Sequence, residues 1–251
     1  MLTPTVVSPV TVGRTIRTAT AVPRSAAHCS NCAVRHLCMP QGLSHEDMPK
    51  LETLICSARN VRRGDALYRV GDPFESLYAV RSGSLKTVIA HHDGREQVTG
   101  LRIAGEPLGL DGISTDAHTS TAVALEDSSV CIIPYSALKH MCRENSALQD
   151  RLHRLLGERL LHESSQLMVL GSLSADERVA SFLLDVSGRN AKRGYSHLEF
   201  NLRMTREDMG SYLGITLETV SRTLSKFQKR GLIDPQGKLI RILDLEGLKD
   251  V

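Results

Sequence analysis

No apolar run in this chain approaches the roughly eighteen residues that a membrane-spanning helix needs, which argues against a membrane partner. Residues 1–27 lack the continuous apolar stretch of a secretory signal, and they contain no acidic residue. They are rich in Thr, Pro, Ser and Val, with Arg14, Arg17 and Arg24 as the only charges. That composition predicts a disordered tail on a cytoplasmic protein. Beyond the tail there is no low-complexity tract and no internal repeat. A nucleophile–base constellation, a Gly-rich phosphate loop and an H-E-x-x-H motif are all missing, so the sequence offers no ground for an enzyme.

What is present suits one large domain or two ordinary ones: 251 residues, 41% of them apolar, enough to bury a core. The net charge of +3 permits a nucleic-acid partner, but where the charge sits matters more than its sum.

Six cysteines stand at positions 29, 32, 38, 56, 131 and 142. Three of them, Cys29, Cys32 and Cys38, fall in "HCSNCAVRHLCMP" (28–40) with the spacing C-x2-C-x5-C. In a reducing compartment such a cluster leans towards metal or redox chemistry rather than disulfides. Spacing alone leaves two candidates open. One is zinc on Cys29, Cys32, Cys38 and either His28 or His36; the other is an iron–sulfur cluster. Cys131, in "SSVCIIP", reads by itself as a buried strand cysteine.

Residues 58–135 alternate short apolar runs with glycine turns ("RRGD", "VGDP", "RSGS", "HHDGRE", "IAGEP"), which predicts an antiparallel sandwich or barrel. "HDGRE" (92–96) reads as a tight hairpin loop. From about 136 to 170 the period becomes helical. Leu156, Leu160, Glu163, Leu167 and Leu170 repeat with the 4-3-4-3 spacing of a coiled-coil seam. Glu163 is either a solvated neighbour of that stripe or a charge that weakens self-association. Gly171 is expected to end the helix, and "SADE" (174–177) has the form of a capping box.

Residues 206–225, "REDMGSYLGITLETVSRTLS", predict two packed helices. Met209, Leu213, Ile215, Val220 and Leu224 supply the apolar faces, Gly210 allows close approach, and Gly214 provides the turn. The second helix, about 217–230, exposes Glu218, Ser221, Arg222, Lys226, Lys229 and Arg230. The first three sit at the end that would enter a major groove, where Arg can fork onto guanine and Glu can accept from cytosine. The lysines and Arg230 lie further along, where phosphate contact is the simpler role. "GLIDPQGKLIRIL" then reads as a small hairpin, a wing, with Pro-Gln-Gly in its turn.

A β-roll, a long helix and a winged helix-turn-helix in this order resemble the CRP/FNR family of bacterial transcription regulators, and within it the oxygen-responsive FNR proteins. The motifs that carry the resemblance are the cysteine cluster, "SLYAVRSG" (76–83), "VCIIP" (130–134) and "TLETVSR" (216–222), within a match over about 28–245. The implied fold is α+β: a cyclic-nucleotide-binding-like antiparallel β-roll, a long dimerisation helix and a C-terminal winged helix-turn-helix. The corresponding boundaries are a tail over 1–27, a cluster-binding segment and roll over 28–143, the dimer helix over 144–171, and the DNA-binding domain over 172–251.

The resemblance implies a 4Fe–4S cluster held by Cys29, Cys32, Cys38 and Cys131, with Cys56 and Cys142 matching no ligand. It places base readout on Glu218, Ser221 and Arg222, and the acid that opposes dimerisation on Glu163. Cys32 is followed by Ala33 where the best-known member has Ser. The implied mechanism is a homodimer that binds TTGAT-type palindromes without oxygen and works with RNA polymerase. Molecular oxygen is the signal: it converts the cluster and returns the protein to monomers.

The alternative is a cyclic-nucleotide-responsive regulator of the same fold. That subfamily clamps the cyclic phosphate with an Arg after a Gly-Glu turn. Gly105 and Glu106 are here, but no arginine lies between Arg102 and Arg143. A third reading, an iron–sulfur enzyme or electron carrier, has no substrate constellation to support it.

Overall fold

The computed structural model describes residues 25–26, 29, 32–38, 49, 52, 57–91 and 93–251. The expected disordered tail therefore lies outside the described residues except for Ser25 and Ala26, as do His28, Cys56 and His92. The chain divides into two compact units, residues 1–149 and 150–251.

In the first unit, glycine turns cut the apolar runs into antiparallel strands that form two sheets. One holds β1 (Ser25–Ala26), β2 (Ser57–Val61), β9 (Ser128–Pro134), β4 (Ser76–Ser82) and β7 (Pro107–Leu108), in that order. The other holds β3 (Ala66–Tyr68), β8 (Thr121–Ala124), β5 (Ser84–Ala90) and β6 (Glu96–Ile103). Val61, Val80, Leu108 and Val130 from the first sheet share one core with Leu67, Tyr68, Leu85, Ala122 and Ala124 from the second. This is the expected roll. The hairpin between β5 and β6 closes through Gly94, at φ 86°, with Asp93 accepting from the Arg95 amide at 3.0 Å.

The helical stretch expected from about 136 to 170 comprises two helices. Helix α2 (Tyr135–Glu144) stops at Asn145, whose backbone is extended, and α3 (Ser146–Ser172) starts afresh. The Asn145 carboxamide oxygen accepts from the Leu148 amide at 3.0 Å, so asparagine caps the second helix where the apolar period runs through without a gap. At the far end α3 includes Gly171 and continues to Ser172, one residue beyond the expected stop.

In the second unit the capping box on Ser174 is formed in both directions: Ser174 Oγ accepts from the Glu177 amide, and Glu177 accepts from the Ser174 amide. It opens α4 (Ala175–Lys192). Helices α5 (Arg206–Leu213) and α6 (Leu217–Lys229) follow, each entered through a capping threonine, Thr205 and Thr216. Gly214 makes the turn between them at φ 64°, and a side chain on Gly210 would drive its Cβ to 2.6 Å from the Ile215 carbonyl. Strands β10 (Glu199–Asn201), β12 (Leu239–Ile242) and β11 (Ile233–Gln236) make the wing, and α7 (Leu245–Lys249) closes the chain. Pro235 and Gln236 belong to β11, paired with Ile240 and Leu239; the turn is Gly237–Lys238, shifted from the expected Pro-Gln-Gly. No helix among the described residues is long and apolar enough to cross a membrane.

Candidate nucleic-acid interface and cysteine site

Helix α6 buries Val220, Thr223, Leu224 and Phe227 and turns its other face outward. Three of these four apolar-face positions are carbon-rich side chains at 0–2% exposure, which fixes the rotation of the helix about its axis. Ser221, Arg222, Ser225, Lys226, Lys229 and Arg230 then line one open groove along the outward face. Glu218 is exposed in the first turn, where the backbone amide of its own turn, the Thr216 hydroxyl and Arg222 hold its carboxyl below the usual range. Arg222 donates to the Thr219 hydroxyl at 3.2 Å, so its guanidinium is steadied near the helix start. Lys226 differs from its neighbours: its ammonium is ion-paired to Asp176 in the first turn of α4. All six positions expected at this face are therefore on it, and Lys226 is already engaged with another helix.

The seam residues of α3 are divided. Leu160 and Leu167 are 69% and 72% exposed, and Leu161 and Met168 beside them are 71% and 59% exposed. Leu156 and Leu170 are half-buried. Large apolar side chains left open at seven-residue intervals on one helix mark an association surface. Glu163 is half-exposed and ion-paired to Arg159 one turn earlier. The solvated-neighbour reading of Glu163 thus describes it within one chain. Arg159 stands four residues before Glu163, the spacing at which opposite charges on a helix meet.

At the other unit, Cys29 is buried and Cys32 and Cys38 are half-buried. Cys131 sits on β9 between Ala58 of β2 and Ala79 of β4. Burial pushes the Cys29 thiol up to about 11, and the nearby thiols of Cys131 and Cys32 and the Glu52 carboxylate add to the rise, against Arg35. Burial, then Cys32, raises Cys131 as well. Cys131 and Cys32 thus oppose the ionisation of Cys29, and Cys32 that of Cys131, which puts the three thiols in one locality.

Cys38 ends α1 (Arg35–Cys38) and donates its S–H to the Gly105 carbonyl at 3.8 Å. Leu37 packs on the same turn, so tightly that a Cβ on Gly105 would lie 2.7 Å from it. The four thiols fit an iron–sulfur cluster by donor chemistry. Among the described residues no three ligating side chains already converge on one coordination point. His36 is exposed. Cys142, on α2, is buried, and burial alone, with no neighbouring thiol contributing, raises its thiol.

The chain matches two family models: a cyclic nucleotide-binding domain over residues 58–145 and a Crp-like helix-turn-helix domain over 177–251. It is 42% identical to the transcriptional regulatory protein btr of Bordetella pertussis, covering 90% of this chain and 93% of that one. It is 41% identical to the transcriptional activator protein anr of Pseudomonas aeruginosa, over 87% of this chain and 89% of the other. A fumarate and nitrate reduction regulatory protein of Yersinia pestis is 39% identical over 89% of each chain. Among solved structures, FixK2 from Bradyrhizobium japonicum superposes with a TM-score of 0.71 at 30% identity, covering 77% of this chain and 95% of its own.

Proposed function

The chain belongs to the CRP/FNR family of transcription regulators, which are DNA-binding proteins and not enzymes, and from that premise we propose that it is the oxygen-responsive kind. The observation that carries the proposal is the location of Cys131. It comes from a strand far from the N-terminal cysteines in sequence, yet its thiol lies close enough to raise that of Cys29, and Cys32 in turn raises Cys131.

Cys29, Cys32, Cys38 and Cys131 would hold a 4Fe–4S cluster. Bound there, it supplies reactivity towards molecular oxygen in a reducing cytoplasm. The thiols tie the segment bearing α1 onto the roll, and Leu37 seats that segment on the Gly105 turn. The exposed leucines of α3 bury themselves against a second copy, forming a homodimer. Two α6 helices then enter successive major grooves of a TTGAT-type palindrome, with Glu218, Ser221 and Arg222 at base edges and Lys229 and Arg230 at phosphates. RNA polymerase is the partner at the promoter. Without that tie the segment bearing α1 would be held only by contacts such as Leu37 on the Gly105 turn, and Glu163 would favour separation of the chains.

Purification without oxygen, followed by an absorption spectrum and iron and sulfide assays, tests the sensor. About four of each per chain are expected. DNA titration before and after admitting air should show affinity lost together with the spectrum. Stoichiometric zinc in the anaerobic protein, without iron or sulfide, would sink the proposal.

A further inference from the structure

Three orphan carbonyls meet at one side chain in the second unit. Arg178 Nη2 donates to the Leu170 carbonyl at 2.8 Å, Nε to Leu173 at 2.9 Å, and Nη1 to Leu213 at 3.0 Å. Leu170 lies in the last turn of α3. Its helical partner would be the Ser174 amide, which instead donates to Glu177 in the capping box at 2.7 Å. Leu173 is in the short joint between α3 and α4, and Leu213 is the last residue of α5, directly before the Gly214 turn.

Helix C-termini leave carbonyls without partners and carry partial negative charge. A guanidinium satisfies both needs at two helix ends together. Its fork is planar and rigid, so the three bonds fix direction as well as distance. Gly214 completes the joint: a Cβ there would touch both Arg178 Nη1 and Leu170 at 3.4 Å.

We propose that Arg178 is the positioning residue that sets the angle between the dimer helix α3 and the DNA-reading pair α5–α6, and thereby the spacing of half-sites the protein accepts. The proposal rests on the reading of a dimer that engages two half-sites. It goes beyond that reading by assigning its geometry to a residue that touches no DNA.

The test uses the full chain, purified without oxygen, as the parent, Arg178→Gln and Arg178→Lys. Each is titrated onto a TTGAT palindrome of native spacing, onto palindromes lengthened or shortened by one and two base pairs, and onto a single half-site. Both variants should dimerise and bind the single half-site as the parent does. Their preference for native spacing over altered spacing should fall about ten-fold. Lysine keeps the charge but cannot fork, so it keeps the test sharp if the glutamine variant does not fold.

An unchanged spacing preference overturns the proposal. So does an equal loss on every DNA including the half-site, which marks a purely structural arginine. A parent with no spacing preference overturns the two-half-site reading, and this proposal with it.

Discussion

Lys226 and Asp176 form an ion pair that joins the last turn of α6 to the first turn of α4, and the other oxygen of the same carboxylate accepts from the Thr223 hydroxyl at 2.8 Å. Lys226, followed by Thr223, holds the Asp176 carboxyl below its ordinary value. The cation at 226 therefore serves helix packing before it serves a phosphate. Lys229→Ala should lower affinity on any duplex and reduce the salt slope by about one unit per chain. Lys226→Ala should change that slope less and cost roughly 0.2–1 kcal/mol of stability, the range for an exposed pair. Arg222→Ala should instead lose about 1–3 kcal/mol of discrimination between the palindrome and a scrambled duplex. Titrations at several salt concentrations on anaerobic dimer separate the three; equal weakening of both duplexes by Arg222→Ala would mean that α6 docks differently.

Substituting Cys29, Cys32, Cys38 or Cys131 by Ser is expected to abolish the anaerobic iron–sulfur spectrum. Cys142→Ser and Cys56→Ser should leave it in place. Cys142 is buried on α2, so its variant also controls for damage to the fold. Iron retained by a Cys131→Ser protein would remove that residue from the ligand set.

Glu163→Ala should shift the air-exposed protein towards dimer. The carboxylate stands between the exposed Leu160 and Leu167 on the α3 stripe, so in the proposed dimer it would face its own copy. Because Arg159 already pairs with it, the gain should be modest, about 1 kcal/mol per chain. Near a balanced equilibrium that is enough to register. Sedimentation equilibrium in air, giving the same monomer fraction for parent and mutant, would count against the role.

Cyclic AMP should neither bind appreciably nor alter DNA affinity, despite the match to a cyclic nucleotide-binding domain. The Glu106 carboxylate accepts from the Ile103 amide at 3.1 Å, within its own turn. Arg102 is buried with its guanidinium against Gly100 and donates to the Leu101 carbonyl at 3.1 Å, and no arginine follows until 143. A cyclic phosphate would lack its bidentate cation. Calorimetry showing micromolar binding would reverse this view.

His162, half-buried on α3, has its basicity depressed mainly by burial, with Arg159 and Arg189 adding to the effect and Asp185 and Glu163 opposing it. A depressed value in the folded state means that the unfolded chain binds the proton first as pH falls. The stability contributed is present above 6.5, the unperturbed value, and is lost as pH drops through the folded value. Denaturant midpoints from pH 7.5 to 5 should fall for the parent and fall less for His162→Gln; parallel curves would place the pH dependence elsewhere.

Local chemistry was legible where one or two residues decide it. The Ser174–Glu177 capping box, the Gly214 turn and the face of α6 all follow from short-range spacing, and each is in place. The break at Asn145 leaves no gap in the apolar period: the boundary at 143/144 came from the resemblance, and in the fold the local cap to Leu148 marks it. The wing turn falls on Gly237–Lys238 because Pro235, lacking an amide hydrogen, is tolerated in an edge strand and so extends β11 through Gln236. The pairing of Lys226 with Asp176, and of Arg178 with three carbonyls, joins segments that only folding brings together. For the cysteines, spacing indicated chemistry but left the metal open, and nothing local distinguished Cys131 from Cys142.

The two faces of α6 have one further consequence. Val220, Leu224 and Phe227 hold the helix in place, while Glu218, Ser221, Arg222 and Ser225 project from the opposite side. Changes at those four outward positions should alter which sequence is recognised while leaving the melting temperature nearly untouched. A lineage carrying this fold can therefore rewire its set of promoters by drift on one helical face, without passing through an unstable intermediate. The same separation makes those four positions a workable library for retargeting the protein to a chosen operator.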